Sequence, residues 1–361
     1  MRVLLVGGGT GGHLFPAVSI AEALRDAGVT DIAFAGRADG LEGRVVPALG
    51  WRFFAIHALP LRRSLAPAAI GALLRTVRIA HGILRDFAPD VVVATGGYVA
   101  GGVVLAHAMR RGKTVLHEQN ALPGRTNRWL ARWAKRVCIT FESTARYFRS
   151  RPCVHTGLPV RKELLCSRTD RADACRALGF DPSGRVLFVI GGSQGARTLN
   201  GWTLEMLPGL RQAGVQIVHQ VGERNVSEFE GYIQDAGYRW FGFMNSREVG
   251  LALSAADVVV SRAGASTLTE IALFGKAAVL IPYPYAYADH QWYNAQELAR
   301  VGGAVAFRES ELDAQKLLGQ VMSLLSNPDR LSEMGEANRR WAKEDAAQRV
   351  VQQVMEVAAE R

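Results

Sequence analysis

Two glycine-rich turns dominate the chemistry this chain could carry. Gly7-Gly8-Gly9-Thr10-Gly11-Gly12-His13 follows an apolar run at residues 3–6, and Gly191-Gly192-Ser193-Gln194-Gly195-Ala196 follows another at residues 186–190. A turn of this kind, set between a parallel strand and a helix, aims backbone N–H groups at an anion, and the positive end of the helix dipole adds to the attraction. Glycine lets the ligand approach closely and takes up φ > 0 at no steric cost. Phosphate is therefore the chemistry to expect. Three more turns carry small or polar residues at strand ends: Thr95-Gly96-Gly97-Tyr98-Val99-Ala100-Gly101-Gly102, His117-Glu118-Gln119-Asn120, and the segment from Ser261 to Glu270. Glu270 admits two readings. It could close a capping box with Ser266 or Thr267 as the cap, or its carboxylate could accept hydrogen bonds from both hydroxyls of a ribose.

Gly7, Gly9 and Gly12 also satisfy G-x-G-x-x-G, so a dinucleotide site is the competing reading. Such a site expects an acidic residue about 20 positions further on, at the end of the second strand. Here that strand ends Phe34-Ala35-Gly36-Arg37, and Asp39 falls beyond it. NAD is set aside on that missing ribose ligand. No Asp-x-Asp pair occurs to hold a divalent ion on a diphosphate, so no metal is expected. A leaving diphosphate would then be stabilised by N–H groups, a helix terminus and Arg or Lys.

The elements that must position these turns repeat. After the first turn Ala17, Ile20, Ala21 and Leu24 recur at helical spacing, and strand, glycine turn and helix return half a chain later. Uninterrupted apolar runs at residues 32–35, 91–94, 115–116, 216–218, 258–260 and 278–281 predict strands covered on both faces, as in a parallel sheet. The fold class is therefore α/β, with two Rossmann-like, doubly wound parallel-sheet domains in tandem. Gly157-Leu158-Pro159 marks the boundary. The expected division is residues 1–158, residues 159–340, and a C-terminal helix at 341–361 packing back on the first domain. In the tail, Leu331, Met334, Trp341, Val350 and Val354 are candidate buried positions.

A chain of 361 residues with 48% hydrophobic and 21% charged residues is long enough for two ordinary cores. Its four cysteines show no CxxC spacing, which predicts free thiols in a reducing compartment. No stretch is apolar enough for a signal peptide or a membrane span, so a cytosolic protein is expected. The net charge of +10 favours nucleic acid, anionic lipid or phosphorylated substrates. No RNA-binding signature, zinc-finger spacing or long basic run supports nucleic acid.

At this point the motifs resemble a known family. Gly8-Gly9-Thr10-Gly11-Gly12-His13, Gly96-Gly97-Tyr98-Val99, His117-Glu118-Gln119-Asn120, Gly191-Gly192-Ser193-Gln194-Gly195-Ala196, the Ser261 to Glu270 segment and Asp289-His290-Gln291 with Asn294-Ala295 come in the order seen in the MurG family. The resemblance spans nearly the whole chain, and the ordered set is far more specific than any one turn. It implies a GT-B fold, two domains facing across a cleft. It also implies inverting transfer of N-acetylglucosamine from UDP to the 4-hydroxyl of lipid I, giving lipid II for peptidoglycan, with no cofactor. By motif match Thr10, Gly11, Gly12 and Ser193 lie near the diphosphate and sugar. Asn120 and Arg161 face the donor, although Leu158 stands where the family usually has Asn. Met244 meets the uracil through its backbone. Ala265, Ser266, Thr267, Leu268, Thr269 and Glu270 hold phosphate and ribose, and Gln291 contacts sugar hydroxyls. Inversion needs a base, and His13, after the first glycine turn, has an imidazole suited to it; the competing reading is that His13 only hydrogen-bonds the acceptor or stabilises the turn. Glu118 is the other possible base, or else a buried structural partner. Two alternatives share the fold: a UDP-sugar 2-epimerase, which needs no acceptor, and a nucleotide-binding module without catalysis.

A lipid acceptor implies a peripheral protein at the cytoplasmic face of an anionic membrane. Residues 51–87 are the first candidate surface. Phe53, Phe54, Leu59, Leu61 and Leu65 sit beside Arg62 and Arg63, and Ile70, Leu73, Leu74, Val77 and Leu84 alternate with Arg75, Arg78 and Arg85. The competing reading is an ordinary apolar stripe buried against a sheet. Arg128, Trp129, Leu130, Trp133, Lys135 and Arg136 form the second candidate.

Overall fold

The computed structural model describes residues 1–56, 67–149, 151–192, 194–232 and 234–360. Ser193, His57, Leu59, Leu61, Arg62, Arg63 and Leu65 lie outside them. The chain forms two compact units, residues 1–161 with 345–361, and residues 162–344.

The first unit is built on a seven-stranded parallel sheet. Its strands are β1 (Arg2–Gly7), β2 (Asp31–Gly36), β3 (Arg52–Ala55), β4 (Val91–Gly96), β5 (Lys113–Glu118), β6 (Arg136–Ile139) and β7 (Cys153–His155). They lie in the order β3-β2-β1-β4-β5-β6-β7. The order reverses between β1 and β4, and ligands of such sheets bind at the carboxyl ends of the strands beside that reversal. Alternation along β1 shows why the strands are apolar throughout. Val3 and Leu5 join one core cluster with Phe34, Val91 and Val115, while Leu4 and Val6 join the cluster on the opposite face with Ala33, Val92 and Leu116. Each such buried aliphatic side chain contributes about 1.5–3 kcal/mol of transfer free energy.

The second unit repeats the plan with six parallel strands. These are β8 (Arg185–Ile190), β9 (Val215–Gln220), β10 (Tyr238–Phe241), β11 (Val258–Ser261), β12 (Ala277–Leu280) and β13 (Ala304–Ala306), ordered β10-β9-β8-β11-β12-β13. Its reversal lies between β8 and β11.

The boundary falls at Arg161/Lys162, a few residues beyond the Gly-Leu-Pro expected to mark it, and Leu158 is buried in the first unit. The tail is two helices, Pro328–Trp341 and Ala346–Ala359. The first belongs to the second unit and buries Met334, with Leu331 packed against that core. The second belongs to the first unit. Its Val350, Val351, Val354 and Val357 enter the cluster of Val3 and Leu5. Lys113 Nζ donates to Ala358 O at 2.9 Å and Arg136 pairs with Glu360 at 2.8 Å, which places cations at the negative end of that helix.

Among the described residues of the two stretches expected to form a membrane surface, most apolar side chains pack into this core. In the helix Pro67–Phe87, Val77 and Leu84 are buried and Leu73 packs against the core, leaving Leu74 exposed beside Arg75, Arg78 and Arg85. Phe53 and Phe54 likewise pack against the two core clusters. In the second stretch Leu130 is buried, and Lys135 and Arg136 pair with Glu360 at 3.8 and 2.8 Å. Trp129, stacked edge-on against Trp133 at 4.7 Å, is exposed, as are Arg128 and Lys135. No helix among the described residues is long and apolar enough to cross a membrane.

Candidate functional site

Each reversal carries a glycine turn. In the first unit, Gly9 sits at φ +85° and Thr10 leads into the helix Gly11–Asp26. No side chain caps that helix, and its first turn has no acidic residue. Thr10 O accepts from the amides of His13 and Leu14, so Gly11 and Gly12 present the amides that no carbonyl of the turn receives.

His13, in the first turn of this helix, is half-buried. Its Nδ1 lies 3.0 Å from Thr95 O, at the end of β4, and 3.1 Å from Gln119 Oε1, just past β5. Thr95 Oγ1 in turn donates to His13 O at 2.7 Å. Both atoms facing Nδ1 are acceptors, so Nδ1 carries the ring proton and Nε2 the lone pair. Burial holds the imidazole below its ordinary pKa of 6.5, against the raising effect of the bonds to Gln119 and Thr95. The neutral ring with a basic Nε2 is thus the resting form near pH 7.

Glu118 has a different environment. It is buried, and its carboxylate accepts from four donors. Oε1 takes Asn120 N at 2.9 Å and Asn120 Nδ2 at 3.3 Å; Oε2 takes Gly124 N at 3.1 Å and Asn127 Nδ2 at 2.9 Å. Burial raises its pKa and these bonds oppose the rise. A carboxylate so enclosed anchors the loop that carries Asn120. Arg161 lies with its guanidinium 4.9 Å from the Phe15 ring centre, over the helix that bears His13.

In the second unit, Gly192 and Gly195 sit at φ +84° and +72°, and the helix Arg197–Gln212 starts from Ala196 without a side-chain cap. A Cβ on Gly195 would lie 2.0 Å from Val221 O, so only glycine fits this turn. Beyond β11, the helix Ala265–Leu273 starts from Gly264, again uncapped by any side chain. Ser266 and Thr267 therefore lie inside the first turn and Glu270 in the second. The capping-box reading of Glu270 is ruled out by this register, because its carboxylate lies past N3. Glu270 is half-buried. Ala265, Leu268 and Thr269 are buried, and Thr269 Oγ1 donates to Ala265 O at 2.9 Å.

Gln291 opens the helix His290–Arg300 and ties two loops together. Its Oε1 accepts from Ala263 N at 3.2 Å and Tyr283 N at 2.9 Å. Met244 is buried in the loop after β10, just before Asn245, which caps the helix Ser246–Ala255 in a full capping box with Glu248. Arg262, a natural choice for a diphosphate, is not available to one. Its guanidinium is bound to Glu309 at 2.6 Å and to Ile281 O and Pro282 O at 3.1 and 3.2 Å.

Sequence reasoning missed Glu42. It is buried, in the first turn of the helix Leu41–Ala48, and its carboxylate accepts from Gly9 N at 3.2 Å and Arg37 N at 3.1 Å. The signal available was an acidic residue just after Gly40, where a helix N-terminus attracts one. Among the described residues, no group of three His, Cys, Asp or Glu side chains could hold a metal ion.

Two parallel sheets ordered in this way, each with an uncapped glycine turn at its reversal, fit the GT-B class of sugar transferases and their relatives, and comparison with known proteins places the chain in that class. Residues 3–139 match the glycosyltransferase family 28 N-terminal domain and residues 186–350 the family 28 C-terminal domain. The UDP-N-acetylglucosamine--N-acetylmuramyl-(pentapeptide) pyrophosphoryl-undecaprenol N-acetylglucosamine transferase of Desulforudis audaxviator is 40% identical over 99% of both chains. The protein of the same name from Moorella thermoacetica is 41% identical over 98% of both. The crystal structure of Acinetobacter baumannii MurG covers 98% of this chain, and 99% of its own, with a TM-score of 0.79 and 31% identity. The chain belongs to the MurG family of glycosyltransferases. A UDP-GlcNAc 2-epimerase from Neisseria meningitidis, at 13% identity and TM-score 0.70, shares the fold alone.

Proposed function

We propose that this protein transfers N-acetylglucosamine from UDP-N-acetylglucosamine to the 4-hydroxyl of the muramyl sugar of lipid I, with inversion, giving lipid II for peptidoglycan. The observation that carries the chemistry is His13, whose Nδ1 is committed to two acceptors and whose Nε2 is a lone pair beside a glycine turn. The acceptor hydroxyl attacks the anomeric carbon opposite the diphosphate. As the C–O bond forms, its proton passes to His13 Nε2, and the anomeric C–O bond breaks with its electron pair leaving on UDP. The charge developing on the diphosphate meets the amides that start the helices Arg197–Gln212 and Ala265–Leu273. Departure then needs no metal.

Glu270 binds the ribose hydroxyls, the Met244 backbone the uracil, and Gln291 the sugar hydroxyls. Asn120 and Arg161 face the donor, with Thr10, Gly11, Gly12 and Ser193 near its diphosphate and sugar. Glu118 is left out of the proton transfer because four donors already occupy its oxygens. The 40%-identical relatives' names support this donor and acceptor over epimerisation. The protein works peripherally, at the cytoplasmic face of an anionic membrane, and takes no nucleic acid.

A transfer assay with UDP-N-acetylglucosamine and a lipid I analogue, run with and without chelator, tests the reading. Disaccharide formation undiminished by chelator is expected. Turnover of the donor to an epimer without any lipid would overturn it.

A further inference from the structure

His117 and Gln119 are two residues apart at the end of β5, so their side chains leave the strand on one side and Glu118 leaves on the other. Glu118 goes to the loop that it anchors. Gln119 goes toward Thr95 and His13 with the His117 ring beside it, and both are buried.

The hydrogen bonds on that side fix each other. Gln119 Nε2 donates to Thr95 O at 2.7 Å and lies 3.3 Å from both His117 Nδ1 and His117 O. Three acceptors around the NH2 end leave the amide one orientation, with Oε1 toward His13 Nδ1 at 3.1 Å. His117 Nε2 lies 2.9 Å from Gly157 O. A carbonyl only accepts, so Nε2 carries the proton of that ring and Nδ1 accepts from Gln119. Burial pushes the His117 pKa down to about 4, so the ring stays neutral wherever the enzyme works and the pattern is stable.

We infer that Gln119 is a positioning residue for His13: locked by Thr95 and His117, its carbonyl holds the His13 ring by Nδ1–H and raises the basicity of Nε2. This rests on His13 being the base of the proposed reaction. When Nε2 takes the acceptor's proton the ring becomes cationic, and the charge on its Nδ1–H is shared by two oxygen acceptors, Thr95 O and Gln119 Oε1. The first is backbone and constant. The second is a side chain, and it offsets part of the burial that weakens the base.

The test is a ¹⁵N-imidazole NMR titration of His13, assigned with His13→Ala, in the full-length protein and in Gln119→Leu and Gln119→Glu. Leucine keeps the bulk and removes the acceptor, so the His13 pKa should fall by about half a pH unit or more. Glutamate sets a carboxylate against Nδ1–H and should raise it. Either variant alone decides the matter if the other does not fold. A His13 titration unmoved in a folded variant would overturn the inference, because a purely structural glutamine has no reason to tune that ring. The acid limb of kcat should move with the NMR value. An NMR shift that the limb does not follow would support Gln119 as the partner of His13 and remove His13 from the role of base.

Discussion

The Glu42 carboxylate accepts the Gly9 amide at 3.2 Å, so the first glycine turn already holds an anion belonging to the chain itself. The same carboxylate takes Arg37 N, and Arg37 donates to Asp39 and lies over the Tyr98 ring. A Cβ on Gly8, Gly36 or Gly40 would lie within 2.8 Å of the Glu42 side chain. The acidic side chain nearest this turn is therefore spent on the chain's own amides. This adds to the missing acid at the end of β2 as a reason against NAD.

Removing that anion strands two backbone donors. Glu42→Ala should destabilise the first unit by about 2–4 kcal/mol, and Glu42→Gln, which keeps one acceptor, by less. Urea unfolding of the two variants checks the order. Neither should gain affinity for NADH.

Glu270 stands past the first turn of its helix, so it does not cap that helix, and the proposed function puts it on the ribose. Glu270→Ala should weaken UDP binding about ten- to a hundredfold, the worth of hydrogen bonds to a charged group, with little change in stability. Calorimetry with UDP gives the number. Unchanged affinity would take Glu270 out of the nucleotide site.

The four donors around Glu118 separate an anchor from a base. In an anchor, Glu118→Gln turns an NH2 toward atoms that also donate. The loop bearing Asn120 should loosen, the donor KM rise and the first unit lose about 2 kcal/mol, while the acid limb of kcat persists below pH 6.5 with the His13 ring. In a base, the same change would abolish turnover and that limb and leave KM alone. Steady-state kinetics across pH tells the two apart.

What could be read from the sequence follows from burial. The central strands β1, β2, β4, β8, β11 and β12 are apolar on both faces and announce themselves as unbroken runs, whereas β5 and β9 are buried but interrupted by Thr114, His117, Gln216 and His219. The strands at or near the sheet edges do not announce themselves. β3 is Arg-Phe-Phe-Ala, β7 Cys-Val-His, β10 Tyr-Arg-Trp-Phe and β13 Ala-Val-Ala, short and half-buried, with sheet pairing rather than local pattern deciding them. The same limit applies at the site. The glycine turns and His13 are local signals. The enclosure of Glu118 depends on Asn127, nine residues away, and the tautomer of His13 on Thr95 and Gln119, 82 and 106 residues away.

Two fully buried histidines tie stability to pH. His219 lies between Tyr238 Oη and Asn200 Oδ1, each at 3.1 Å, in the second unit, and His117 lies in the first. Burial pushes their pKa values down to about 3 and about 4. Between those values and the ordinary 6.5 of the unfolded chain, the unfolded state binds the extra proton. Stability is therefore full above about pH 6.5 and falls as the pH drops, by about 1.4 kcal/mol per pH unit for each ring. At pH 5 the second unit should have lost about 2 kcal/mol through His219. Hydrogen exchange at the amides of β9 reports that unit alone. His219→Gln keeps a polar group for Tyr238 and Asn200 but does not titrate, so its exchange should be nearly flat between pH 7 and 5 once intrinsic rates are corrected. A variant as acid-sensitive as the parent would mean that another group carries the dependence.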